Sequence, residues 1–376
     1  MPRRLGANEA LDRAVDAVTT AHASFCAGHV ASVEALSKYS QALRTLRVYL
    51  DDRLHAQSSN TLCAVMVLLV CQMFIGPTMR CWSGHAEGAA QILKARRKFS
   101  PQDPFEQKLF LSLRGSVVCF LTLGSRKIDR LLMLSQLFEG LFNHRIHLTP
   151  EEWSELVTNK LDGGTSEGRI LLYLARGPDL MRRGRETLKT GEDSTGVQDE
   201  IWGVYQSCKM ILSTMKLRLD EKEAAAAEEN LPSTQETEMR QFQFSHYQRA
   251  YGIGLGITLI FNCMLGALGA HDAMTIFDGT YLVEETLVLA EKSMVYRPVG
   301  SGYLLFCLSA AWAAVADPGL RDRLMEYLRI MNDDFRIRDC ASLPQELEVV
   351  AEHMRLRTPY RLRSERMASE WLPVEA

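Results

Sequence analysis

Three groups of charged residues in this sequence stand at spacings that chemistry can use. Asp51-Asp52-Arg53-Leu54-His55 sets two carboxylates side by side with a histidine close behind, and Asn332-Asp333-Asp334-Phe335-Arg336 pairs two more near the other end of the sequence. Asp278, Glu285 and Lys292 follow one another at intervals of seven, with Arg297 shortly after. Paired carboxylates are ligands for a hard divalent cation such as Mg2+, and a neighbouring lysine or arginine can take up phosphate oxygens bound to that cation. On a helix, residues seven apart return to one face, about 10 Å apart along the axis. Glu285 and Lys292 are therefore expected to share a face. The candidate metal ligands are Glu285, Asp333, Asp334, Asp51 and Asp52, and the candidate phosphate-binding and catalytic cations are Lys292 and Arg297. Each also has a plainer reading. Asp51-Asp52 and Asp333-Asp334 suit solvated helix ends, and the seven-residue series suits an exposed, solubilising stripe.

Other polar motifs are less productive. His144 and His147 are three apart, but no cysteine or carboxylate nearby completes a zinc ligand set. Gly252-Ile253-Gly254-Leu255-Gly256 is rich in glycine, yet no strand pattern precedes it, so close helix packing accounts for it better than nucleotide binding. Asn262, between Phe261 and Cys263, is expected to sit in an apolar helix and bond a neighbouring backbone carbonyl. The 9 cysteines lie mostly in apolar runs, without a Cys-x-x-Cys pair, and read as buried reduced thiols.

The elements that must position these residues are helical. Leu36, Tyr39, Ala42, Leu43, Leu46 and Leu50 recur at three- and four-residue spacings, predicting an amphipathic helix over 34–52. Ser58-Ser59-Asn60 offers a cap to a second helix, apolar on almost every side, over 61–75. Strand patterns are scarce, and the fold class is all-α. With 376 residues, 47% of them hydrophobic, the chain is expected to form one large helical domain over 1–376. Loops are expected near 161–168 and 221–238, and Gly177-Pro178 is expected to break a helix. The net charge of −3 argues against a general nucleic-acid binder. The longest apolar run, Leu62 to Ile75, falls short of the roughly 20 residues a membrane span needs. A cytoplasmic protein with no membrane span is the expectation, and the sequence leaves its oligomeric state open.

Tyr39-Ser40-Gln41-Ala42-Leu43-Arg44-Thr45-Leu46, the apolar helix from Thr61, and Trp82-Ser83-Gly84-His85-Ala86-Glu87-Gly88-Ala89 resemble the regulatory domain of fungal zinc-cluster transcription factors, in particular the sterol-uptake regulators. Tyr296-Arg297-Pro298-Val299-Gly300-Ser301-Gly302-Tyr303 and Ala311-Trp312-Ala313-Ala314-Val315-Ala316-Asp317-Pro318 extend the likeness toward residue 335. Regulators of that family carry a six-cysteine zinc cluster ahead of the domain. Here only Met1-Pro2-Arg3-Arg4 precedes it, so no direct nucleic-acid contact is expected. The arrangement is similar to a second group, the unconventional α-humulene synthases of fungal meroterpenoid gene clusters. That resemblance implies a lyase of secondary metabolism, a terpene cyclase that ionises farnesyl diphosphate with Mg2+ and closes the ring of a sesquiterpene.

Under the cyclase reading, the substrate is a prenyl diphosphate. Trp82, Phe261, Tyr281 and Trp312 would line its cavity beside Lys292 and Arg297, although aromatics at helical spacing also make ordinary cores. The alternative is a regulator that binds an apolar ligand and acts through a partner, in the nucleus.

Overall fold

The computed structural model describes residues 4–28, 32–56, 58–75, 105, 109, 165–227, 234–270, 272–298, 300–335 and 343–357. Among them there are helices and no strands, so the all-α expectation holds. The described helices fall into two compact units.

The first unit contains α1 (Glu9–Cys26), α2 (Val33–Asp51), the single turn α3 (Arg53–Ala56) and α4 (Ser59–Ile75). Asn8 caps α1 by accepting from the Leu11 amide, and Ser32 caps α2 by accepting from the Ala35 amide. The inward stripe of α1 is Ala10, Leu11, Ala14, Ala17 and Ala21. Four alanines leave little side chain between backbones, so α4 and α2 approach closely. Along α4, Leu62, Ala64, Leu68 and Cys71 are buried, which is why that segment is apolar all round. Gln72 offsets its burial by donating to the Tyr39 hydroxyl at 2.6 Å.

The second unit contains α5 (Ser166–Thr190), α6 (Thr195–Ala226), α7 (Thr234–Ala267), α8 (Ala273–Ser293), a 3-10 turn (Met294–Tyr296), α9 (Leu304–Ala314), α10 (Pro318–Phe335) and α11 (Leu343–Met354). Its axis is α7, which packs against α5, α6, α8, α9 and α11. Ile257, Leu259, Ile260, Phe261, Met264 and Leu265 are fully buried. Residues 236–267 of α7 are long and apolar enough to cross a membrane, but 78% of the apolar window is buried within the unit, as in a core helix. The glycines of 252–256 let neighbours reach the α7 backbone: Tyr303 and Leu289 crowd Gly252, Leu212 crowds Gly254 and Phe306 crowds Gly256. A β-carbon at any of the three would lie 2.6–2.9 Å from those side chains. Helix packing is what this stretch does.

Two expectations about breaks are corrected. Helix α5 runs through Gly177-Pro178. Proline removes one backbone hydrogen bond, but Leu174 before it and Leu180 and Met181 after it are buried, so packing holds both halves in line. The helix also opens at Ser166, inside the stretch read as loop, because the Thr165 hydroxyl accepts from the Gly168 amide and caps it. It stops where Gly191 turns left-handed at φ 71°.

Candidate functional site

The seven-residue series on α8 has a counterpart on α6. Lys209 donates to Asp278, Lys216 pairs with Glu285 at 3.5 Å, and Lys292 reaches both carboxylate oxygens of Glu223 at 2.6 and 2.8 Å. The partners are 209, 216 and 223 on one helix and 278, 285 and 292 on the other, so each pair spans 69 positions. Both series advance together, so α6 and α8 run in the same direction, joined by three ionic rungs, and both pack on α7. Asp272 and Thr275 form a capping box that fixes the start of α8 and hence the register of its charges.

The first rung is backed by a buried network. Tyr205, fully buried, donates its hydroxyl to Asp278 at 3.0 Å. Asn262 donates to that hydroxyl at 3.2 Å and to the Thr275 carbonyl at 3.0 Å, giving it the backbone partner anticipated for it. Burial first, and the Asp278 charge with it, pushes the Tyr205 phenol well above its ordinary pKa, so it stays a neutral donor.

The second rung is backed by Tyr251, 3% exposed, which donates to Glu285 at 2.9 Å. Burial and the Glu285 charge push this phenol up as well. Burial alone would lower the Lys216 pKa, but Asp220 at 3.2 Å and the Glu285 charge outweigh it and leave it raised. The lysine is therefore a fixed cation.

Between the second and third rungs lies a cleft walled by Leu219, Phe244, Val288 and Leu289, with Lys216, Glu223, Glu285 and Lys292 around it and Gln248 and Tyr251 lining it. Its space, about 10 Å3, is that of roughly one water molecule. Gln248 is 1% exposed, and its Nε2 has no hydrogen-bond partner.

The structure thus brings Glu285 and Lys292 to one cleft, on one face of one helix. It gives each of them an opposite charge from α6. Arg297 and Asp334, expected as a phosphate ligand and a metal ligand, bind each other instead through two parallel hydrogen bonds of 2.5 Å, a bidentate pair. Asp333 is exposed near the end of α10. Asp51 and Asp52 belong to the first unit and end α2. Asp52 accepts from the Leu54 and His55 amides at 2.8 and 3.1 Å, which lowers its pKa and caps α3. Among the described residues no group of three or more His, Cys, Asp or Glu side chains could hold a metal ion. Of the candidate metal ligands, Glu285 and Asp334 are paired with cations, and Asp52 accepts from backbone amides.

The aromatic candidates divide in the same way. Phe261 is fully buried and Trp312 is 6% exposed with the Arg321 guanidinium 4.4 Å from its ring centre, whereas Tyr281 is 48% exposed. Trp82, with the run of small residues after it, and His144 and His147 lie outside the described residues. Sequence reasoning did not reach Lys216, Glu223, Gln248 or Tyr251. A signal for the first two was present: Lys209, Lys216 and Glu223 repeat the interval of the α8 series with opposite signs, so one series of seven invited a search for its complement.

The model of the fungal specific transcription factor domain matches residues 3–244, well over half of the sequence. The chain belongs to that family. No curated protein and no solved structure shows significant similarity to it. The matched span of this fungal specific transcription factor domain protein covers α1–α4, α5, α6 and the start of α7. Lys216, Leu219, Glu223 and Phe244 of the cleft lie within it, and Gln248, Tyr251, Glu285 and Lys292 lie beyond.

Proposed function

We propose that this chain is a regulatory module of the transcription-factor type, which binds an apolar ligand in its second unit and acts through a partner macromolecule in the nucleus. The observation that carries the reading is the family match over residues 3–244. The geometry supports it. Glu285 and Asp334 are neutralised by Lys216 and Arg297 and so serve to fix helices rather than to gather a metal. An apolar core bordered, among the described residues, by a small, charge-balanced cleft suits ligand sensing better than ionisation of a diphosphate.

The test tethers the full chain to a heterologous DNA-binding domain upstream of a reporter gene. A several-fold change in transcription that depends on the tether is expected. Unchanged transcription with the fusion present in the nucleus would sink the reading.

A second reading is kept by one observation, the placement of Glu285 and Lys292 in a single cleft. It is cyclisation of farnesyl diphosphate to a sesquiterpene. Purified protein incubated with farnesyl diphosphate and Mg2+, with and without EDTA, decides it by gas chromatography–mass spectrometry of the organic extract. A magnesium-dependent hydrocarbon would establish the enzyme and displace the regulator.

A further inference from the structure

Gln248 is a buried donor facing a cleft with nothing to donate to. Three other buried side chains in the described residues hold an atom without a hydrogen bond, Gln72 through Oε1, His353 through Nε2 and Arg185 through Nε, the arginine bonding His353 through Nη2 instead. None of the three lines the cleft, and among the described residues only Gln248 combines an unmet donor with an opening. A buried N–H left unmade costs the full desolvation of the group, so the site has a use for an oxygen.

The surroundings restrict what that oxygen belongs to. Two lysines and two glutamates ring the cleft and are paired with each other across it, Lys216 with Glu285 and Lys292 with Glu223. A charged ligand would have to break a rung to enter, while a neutral one leaves both intact. The space of roughly one water molecule admits a single oxygen. A carboxylate or phosphate head would have to displace a wall. The remaining lining, Leu219, Phe244, Val288 and Leu289, is apolar, and Val288 is 44% exposed at the rim, so a hydrocarbon body can lie over the mouth.

We propose that the cleft between α6, α7 and α8 binds a neutral, predominantly apolar molecule through one hydroxyl or carbonyl oxygen that accepts from Gln248 Nε2. The proposal rests on the ligand-binding part of the regulator reading and gives it a place and a head-group chemistry. Selectivity comes from the oxygen and from the charge balance, since the apolar walls alone would accept any hydrocarbon.

The test is direct binding of 1-octanol, 2-octanone and octanoate to the full chain by ligand-observed NMR and titration calorimetry. The alcohol and the ketone are expected to bind at least tenfold more tightly than octanoate. Gln248→Met keeps the volume and removes the donor, and is expected to weaken both neutral probes by about tenfold, the effect of one lost hydrogen bond. Val288→Trp changes a rim residue, so it keeps the fold and obstructs the tail, and is expected to weaken the same two probes even if the Gln248 variant does not fold. Equal binding of octanoate, or binding indifferent to both substitutions, would overturn the proposal. So would the absence of binding by any probe, which would leave Gln248 to a resident water only. Failure here with a working tethered reporter would condemn the site and leave the regulator standing. Binding with a silent reporter would do the reverse.

Discussion

The two units bury helix faces with different residues. In the first, α1 offers Ala10, Ala14, Ala17 and Ala21 to an α4 that is apolar on nearly all sides, and the seam between them is almost free of polar groups. Its polar side chains work mainly at helix ends, as Asn8, Ser32 and Asp52 do. In the second unit, polar side chains run the length of a seam. Asp278, Glu285 and Lys292 meet three partners on α6, and Tyr205, Tyr251 and Asn262 stand behind them. Small residues allow two backbones to close on each other and leave no space. Long charged residues hold two helices at a distance over a third, and the cleft at Gln248 lies in that interval.

The comparison implies that the second unit is stabilised by its apolar axis and that the ionic rungs determine register. Phe261→Ala tests this most severely. The side chain is fully buried in α7, and its loss is expected to cost about 3–5 kcal/mol in transfer and cavity terms. Chemical denaturation with hydrogen exchange read along α7 would measure it. A cost below about 1 kcal/mol would move the stabilising role from the axis to the rungs.

In the first unit the matching test is Ala14→Leu. Ala14 is fully buried on the packed face of α1, and three added carbons there overpack a close seam, at about 1–3 kcal/mol. Hydrogen exchange should rise in α1 and α4 while α7 is unchanged. A tolerated leucine would show that the alanine stripe leaves room, contrary to the contrast drawn above.

A third test uses acid. His353 on α11 is 3% exposed and its Nδ1 lies 2.8 Å from Nη2 of Arg185 on α5. Burial first, and the arginine charge second, press its pKa down to about 3. The unfolded chain binds this proton with an ordinary pKa near 6.5 and the folded chain does not. The neutral histidine's contribution is therefore complete above about pH 6.5 and is lost progressively as pH falls toward 3. By pH 5.5 the loss is expected to be on the order of 1 kcal/mol, seen as a lower denaturation midpoint for the second unit. His353→Gln should flatten that dependence over the same window. An equally steep profile in the variant would assign the acid sensitivity to another group.

How much of this was legible in the sequence follows from what each feature depends on. Helix α2 and helix α4 were legible because periodicity and caps are local, and each agrees with its sequence-based bounds to within about two residues. The partner of Asn262 was legible because a lone amide in an apolar helix has few alternatives to a backbone carbonyl. The continuation of α5 through Pro178 was not, since the packing of Leu174, Leu180 and Met181 that maintains it is non-local. The face shared by Glu285 and Lys292 was legible from spacing, but the charges opposite them were not. Pairing at a separation of 69 positions depends on how α6 and α8 lie on α7, which spacing within one helix does not reveal. A carboxylate seven residues from a lysine reads equally well as a metal site or as two rungs, and only the facing helix distinguishes them.

The smallest expected effect concerns the outermost rung and sharpens the contrast most directly. Lys292 and Glu223 have side chains 43% and 35% exposed, so water screens their attraction despite the 2.6 Å contact. Lys292→Ala is expected to cost less than about 1 kcal/mol, and that cost should shrink between about 0.05 and 0.5 M salt as the Debye length contracts. The inner rung at Glu285 is held differently, because Tyr251 and Lys216 share its carboxylate at 17% exposure. Its contribution should respond less to salt. Thermal unfolding midpoints of Lys292→Ala and Glu285→Gln at the two salt concentrations separate the cases. Parallel salt responses would mean that the rungs form one uniformly solvated stripe, and the contrast between an outer and an inner rung would be lost.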